Sequence, residues 1–555
     1  MVLTGTTGTT GTTGTSGTTG TRPRGTVIAR DVAGVRADLM ALDAPCFVVR
    51  DAAGIGTTSE HPGAGAGVQV LAAVPPLAPE SLGDPAFRTA HGLARNYMAG
   101  AMANGIASAR MVAALARAGV LGSFGAAGLL PGRIDEALGA IRRDAPGRPF
   151  ACNLIHSPSE PALERAIVDA CLRHEVRAVE ASAFMDLTSE IVRYRLAGLR
   201  RDAAGRVVAT HRVIAKVSRA EVAEKFIRPA PGALARDLAE RGEISAEQAE
   251  WAAGLPLADD VTVEADSGGH TDRRPLTVLL PDILALRDRL ARELGYTTSG
   301  YPVEVRVGAA GGIGTPAAAA AAFAMGAAYV VTGSVNQASV EADQSDTVKR
   351  LLAAAGVADV EMAPSADMFE AGVQVQVLRR GTMFAGRAAR LYDLYRRHDG
   401  LESLPPGERA GLEAKVFARP LDDVWTDCVR FFSERDPEQI ARAEGSPKRR
   451  MALVFRWYLG LSSGWGIAGT PERAADYQVW CGPAMGAFNG WVTGSYLAAC
   501  ENRAVADIAD ELMRGAAVAS RVSQLRLAGV RLPSACTTYI PSPRGGARAA
   551  KAGEK

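Results

Sequence analysis

The chain lacks most of the features that declare a function outright. Its seven cysteines are scattered, with no CxxC pair and no His–Cys spacing. That argues against structural zinc, against any other metal centre and against a disulfide framework, and fits a reducing cytosol. Charge of either sign is not in excess: 62 basic and 60 acidic side chains leave a net +2. No field therefore gathers nucleic acid or anionic lipid, and no basic run is interleaved with aromatics. The longest apolar run, from Pro316 to Val331, is mostly alanine with Gly326 inside it. It is too short and too weakly hydrophobic to span a bilayer. A triphosphate-binding GxxxxGK[ST] loop and a dinucleotide GxGxxG turn are both missing. The start has neither the apolar core of a secretory signal nor the arginine-rich amphipathic stretch of a transit peptide. Thr4 to Thr21 is almost wholly Thr and Gly, which cannot bury enough apolar surface to offset its ordering entropy. Disordered tails are expected over residues 1–25 and 536–555.

What is present is a large amount of core material, 47% hydrophobic over 555 residues, enough for more than one domain. Residues 26–90 read as a small β-rich segment, with short apolar runs at Val27–Ala29, Phe47–Val49 and Val68–Leu71 separated by Gly and Pro. From 91 to 345 a strand, a glycine or polar turn and an Ala/Leu/Arg helix recur. Strands are expected at 95–100, 120–124, 149–155, 178–184, 212–217, 261–266, 303–309 and 329–333. Eight strands alternating with helices over about 250 residues is the grammar of a (β/α)8 TIM barrel, with an open doubly wound sheet as the alternative. Helix signals reinforce it, such as Thr315 as N-cap with Pro316 in the first turn. Residues 218–260 form a helical insertion, the second of its helices opening with the capping box Ser245-Ala246-Glu247-Gln248. Following the fifth strand, it is either a lid over the mouth or a decoration on the flank. Residues 346–535 read as mainly helical.

Chemistry in such a barrel sits at the C-terminal strand ends, with a phosphate in the loops after the last two. Gly311-Gly312-Ile313-Gly314 follows the seventh strand and Gly333-Ser334 the eighth. Bare backbone there can turn N–H groups inward, and the helix from Thr315 adds its positive end. At the first strand end, Gly100-Ala101-Met102 offers small residues and a thioether able to lie against a flat ring. Asn153 and Lys216 end apolar strands, where an amide and an ammonium need partners. His270, after Gly268 and Gly269, is the histidine with a distinctive setting. Asp266 and Asp272 flank it in sequence and are the expected partners to fix its tautomer or keep it partly protonated for proton transfer.

The loop Asp266-Ser267-Gly268-Gly269-His270 resembles the acidic-x-Gly-Gly-His loop of the nitronate monooxygenase (2-nitropropane dioxygenase) superfamily of FMN barrels. Gly100–Ala103, Leu121–Gly125, Asn153-Leu154, Ala310–Ile313 and Gly333-Ser334 follow the same pattern in order. The strings VEADSGGHTDRRP from Val263, TGSVNQA from Thr332 and YQVWCGPAMGAF from Tyr477 are similar to the PfaD family of trans-acting enoyl reductases from polyunsaturated fatty acid and polyketide synthases. That resemblance implies an FMN protein using NADPH to reduce an enoyl thioester on the acyl carrier protein of a megasynthase, in the cytoplasm. It implies flavin contacts at Gly100, Ala101, Met102, Asn153, Lys216, Gly268, Gly269, Gly311, Gly312, Gly333 and Ser334, with His270 at the reacting centre. The chain departs from the pattern in having Asp266 where Glu is usual and Gly333-Ser334 where Gly-Thr is usual. Nitronate oxidation on the same barrel and a non-catalytic flavin-binding docking subunit are the alternatives. The oligomeric state is left open, a homodimer included.

Overall fold

The structure is a computed structural model that describes residues 27–63, 67–156, 161–295 and 305–543. The expected tail over 1–25 lies outside the described residues, as does 544–555. Strands β1 (Cys46–Asp51), β2 (Gly54–Thr58) and β3 (Gln69–Val74) form a small antiparallel sheet in the order β2-β1-β3. Next come β4 (Tyr97–Ala99), β5 (Leu121–Phe124), β6 (Ala151–Ile155) and β7 (Ala178–Ser182). A short hairpin follows, β8 (Leu199–Arg201) with β9 (Val207–Ala209), then β10 (Arg212–Val217), β11 (Asp260–Glu264) and the two-residue β12 (Gly269–His270). The last four are β13 (Arg306–Ala310), β14 (Val330–Thr332), β15 (Val360–Pro364) and β16 (Gln374–Leu378).

Eight of these close a parallel barrel in the order β4-β5-β6-β7-β10-β11-β13-β14, sealed by β14 against β4 with Val330 opposite Tyr97. All eight expected strands are present within a few residues. They are readable because a parallel strand buried on both faces is a near-continuous apolar run, here ended each time by a polar or glycine turn. Thr315 caps the helix Pro316–Ala324, its side chain accepting from the Ala318 N–H, and the capping box at Ser245 makes both its bonds.

The N-terminal end of the barrel is plugged. Helix Pro85–His91 lays Phe87 on Tyr329, ring centroids 3.9 Å apart. His91 Nε2 meets Asp260 Oδ2 at 2.7 Å, and Arg306 grips the same carboxylate through Nε at 2.7 Å and Nη2 at 2.9 Å. The expected boundary at residue 90 therefore cuts a helix that belongs to the barrel. The other end carries the C-terminal strand ends and their loops.

The structure bears on three further expectations. The insertion 218–260 is not a lid: its helices Gly232–Glu240 and Ala246–Trp251 pack on the flank beside helix Ser189–Ala197. Gln248 donates to the carbonyls of Ala197 and Leu199, before β10 begins, so these helices sit toward the closed end. Residues 536–543 are not a disordered tail, since Cys536 is buried, the Tyr539 hydroxyl donates to Glu511 and its carbonyl accepts from Trp491. The region 346–535 is mainly helical, yet it also holds β15 and β16, which join β12 in a three-stranded sheet ordered β12-β16-β15 at the barrel mouth. The long helix Val505–Leu527 ties the ends together: fully buried Arg521 donates to the carbonyls of Ala41 and Ala44 in the N-terminal segment. Among the described residues no helix is long and apolar enough to cross a membrane.

Candidate active site

The residues singled out by sequence converge on the C-terminal strand ends. Gly100 follows β4 and donates its N–H to the Thr332 carbonyl of β14 at 3.0 Å. Ala101 N–H donates to Glu180 Oε2 at 2.8 Å, which holds the loop carrying Met102 against β7. Asn153, on β6, gives its amide to the Glu180 carbonyl at 3.0 Å and to Ser182 Oγ at 2.7 Å. That amide is committed within the protein.

The glycines divide into two kinds. A Cβ on Gly268 would lie 2.9 Å from the backbone of Cys481 and Gly482. One on Gly311 would lie 2.6 Å from the Ala265 carbonyl carbon, and one on Gly100 would press on Val331 and Glu180. Those three are small because protein backbone or side chain crosses close by, not because a ligand must. Gly312 and Gly333 are different: a Cβ there meets nothing within 4 Å. Ala310 and Val331 pair in register across β13 and β14, so both open positions stand two residues past one level of the sheet. They leave an open cradle, with Gly312 three residues before Thr315, the N-cap of helix Pro316–Ala324. Ser334, at its edge, accepts from the Gly482 N–H through Oγ at 3.0 Å and keeps its own hydroxyl proton to donate.

Deeper in the mouth, Lys216 Nζ lies 3.1 Å from Glu264 Oε1 and 4.0 Å from Glu180 Oε1. Burial works against the ammonium, but Glu264 and Glu180 outweigh it and hold Lys216 above the ordinary lysine value. It stays a cation. Glu180 is fully buried and its Oε1 accepts no hydrogen bond, so Lys216 is what neutralises it. Neither carboxylate stands out in the sequence, where each is one polar residue in an apolar strand.

His270 stands at the rim in β12, opposite Val375 of β16, with 48% of its side chain exposed. Its expected partners are elsewhere: Asp266 accepts from Gln376 Nε2 at 2.9 Å, and Asp272 takes Arg219 and Ser218. His270 Nε2 instead meets Asp367 Oδ1 at 3.2 Å, from the β15–β16 connection. Partial burial opposes the imidazolium, but Asp367 and the more distant Glu264 outweigh both that and Lys216, raising the His270 pKa. Gln376 also donates to the Ser267 carbonyl at 2.7 Å, pinning the loop before His270. The string from Tyr477 serves the same end: Trp480 bridges to Val377 and lies over Gly269.

Comparison with known proteins bears on the family and the fold. Residues 92–393 match the nitronate monooxygenase family and residues 25–76 the N-terminal domain of the fatty acid synthase protein PfaD. Residues 398–477 match the inserted helical domain of [acyl-carrier-protein] S-malonyltransferase. One of the polyunsaturated fatty acid synthase subunits of Thraustochytrium sp. is 48% identical over 89% of this chain and 33% of its own length. The polyketide biosynthesis protein PksE of Bacillus subtilis is 44% identical over 79% of this chain and 56% of its own. The chain thus spans between a third and just over half of these two relatives. Among solved structures, the enoyl reductase domain of MlnA from the macrolactin biosynthesis cluster of Bacillus amyloliquefaciens superposes with a TM-score of 0.76 at 38% identity, covering 81% of this chain and 99% of that one. By fold and sequence, the chain belongs to the nitronate monooxygenase family of flavin-dependent oxidoreductases, as a PfaD-like member.

Proposed function

We propose that the protein is an FMN-dependent enoyl reductase that uses NADPH to reduce the 2,3 double bond of an enoyl thioester carried by an acyl carrier protein. The observation that carries this reading is the pairing of one open phosphate cradle, at Gly312 and Gly333, with a half-exposed histidine held at the rim by a carboxylate. The likeness to the MlnA enoyl reductase domain supports the same choice. One cradle without a dinucleotide turn favours FMN over FAD. Gly312, Gly333 and Ser334 would hold its phosphate, and Gly100–Met102, Gly269, Asn153 and Lys216 would lie on the side of its ring. Bound FMN would supply the two-electron step, taking hydride from NADPH and giving it to the thioester β-carbon.

The protein's own task is the charge that follows. Hydride addition leaves an enolate on the thioester oxygen and an α-carbon that needs a proton. His270 has Nε2 engaged by Asp367, so Nδ1 is the nitrogen left to donate, to that oxygen or to that carbon. Lys216, kept protonated between Glu264 and Glu180, offsets their charge beneath the site and keeps an ammonium donor there. A carrier protein need only dock at the rim, its phosphopantetheine arm delivering the thioester.

His270→Ala is expected to keep its flavin and still bleach with NADPH under anaerobic conditions. Reoxidation by a crotonyl thioester should slow by about a hundredfold or more, the usual scale for removing a positioned acid or oxyanion donor. Stopped-flow traces of each half-reaction check this. Wild-type protein that bleaches with NADPH but is reoxidised by no enoyl thioester would overturn the assigned function.

A further inference from the structure

We propose that Asp367, which comes from the C-terminal region and not from the barrel, is the positioning residue that holds His270 in its donating form, an inference that rests on the enoyl reductase reading. The two side chains meet at 3.2 Å across 97 residues of sequence. Both ends of the contact are fixed independently. His270 is set by the β12–β16 pairing. Asp367 lies in a loop anchored on each side: the Ala366 carbonyl accepts from Arg456 Nε at 2.9 Å, and fully buried Phe369 packs against Tyr392, Tyr395 and Phe455 of the helical region. The catalytic histidine is thereby registered to the helical region that covers this side of the mouth.

A contribution to folding does not explain the pair. The side chains are 48% and 58% exposed, and an ion pair that open to water adds little stability. The other charges near His270 are engaged elsewhere. Asp266 is tied to Gln376 and Asp272 to Arg219, while Glu264 pairs with Lys216 and acts on the imidazole less than Asp367 does. Asp367 is the carboxylate in hydrogen-bond reach of the ring among the described residues. It binds Nε2–H, which fixes the ring and leaves Nδ1 for the substrate. The site residues in the barrel would then work at full rate only with the helical region seated.

The test is Asp367→Asn in the full-length protein, with Asp367→Glu as the conservative variant. The His270 midpoint would be read by NMR on histidine-labelled protein, its signal assigned by loss in His270→Asn. Asp367→Asn should lower that midpoint, leaving less imidazolium at alkaline pH. The basic limb of the enoyl half-reaction should move down by the same amount, and the NADPH half-reaction, flavin content and Tm should not change. Asp367→Glu should recover most of the shift. An unchanged midpoint would refute the proposal, and so would a shifted midpoint with an unmoved enoyl pH profile. Loss of flavin or of several degrees in Tm in Asp367→Asn would refute it too, by making the contact structural. If wild-type protein reduces no enoyl thioester, the midpoint still reports on the pair, so the two readings fail separately.

Discussion

Arg306→Met is expected to cost about 3–5 kcal/mol of stability, the scale for removing one partner of a buried ion pair. Asp260 is fully buried at the closed end of the barrel. Burial alone would raise its pKa, but Arg306 and His91 outweigh that and bring it from the ordinary 3.8 to about 2. A carboxyl depressed in the folded state stabilises the fold above its unfolded value, near 4, and loses that contribution as pH falls toward 2. With methionine at 306, Asp260 keeps only His91. Thermal melts should show a Tm several degrees lower at pH 7, and acid unfolding should begin at a higher pH than in the wild type. Both changes should be independent of salt, because the pair is shielded from solvent. A melt at pH 7 within one degree of the wild type would show that the plug contributes nothing.

The network at 91, 260 and 306 also shows where sequence reading stops. Its three members are spread over more than 200 residues, and each looks ordinary in its own segment. The barrel is legible because each strand carries its own signal, an apolar run closed by glycine or a polar turn. The glycine loops after β13 and β14 are legible for the same reason, although sequence does not say which glycines are open. Gly311 and Gly312 read alike, and only the crossing of the Ala265 carbonyl separates them. For His270, sequence points to its neighbours Asp266 and Asp272, because local spacing is all a sequence displays. The true partner comes from β15–β16, hidden in a region whose helical periodicity dominates. Glu180 and Glu264 do not stand out, because one acidic residue at a strand end is unremarkable until Lys216 is seen between them. The flank position of residues 218–260 depends on packing against the β8–β9 hairpin, which periodicity does not report.

Gly312→Asp is expected to yield folded, colourless protein. At this position φ is +71°, a left-handed conformation that aspartate tolerates better than most residues at a cost of about 1–2 kcal/mol. No atom lies within 4 Å of the added Cβ, so the side chain starts in open space and the fold should survive. What it would displace is an anion in the cradle. Two like charges about 4 Å apart at an effective dielectric of about 20 repel by about 4 kcal/mol, close to a thousandfold in affinity. Flavin content, read from the visible spectrum of purified protein, should fall below about a tenth of the wild type while circular dichroism stays unchanged. Gly312→Ala separates charge from backbone strain: it carries the strain without the charge and should keep most of its flavin. Gly311→Ala should do the reverse, because its Cβ would press on the Ala265 and Asp266 carbonyls at 2.6 to 2.9 Å and so cost stability first. A yellow Gly312→Asp protein with full flavin content would move the phosphate out of this cradle, and the proposed orientation of the site with it.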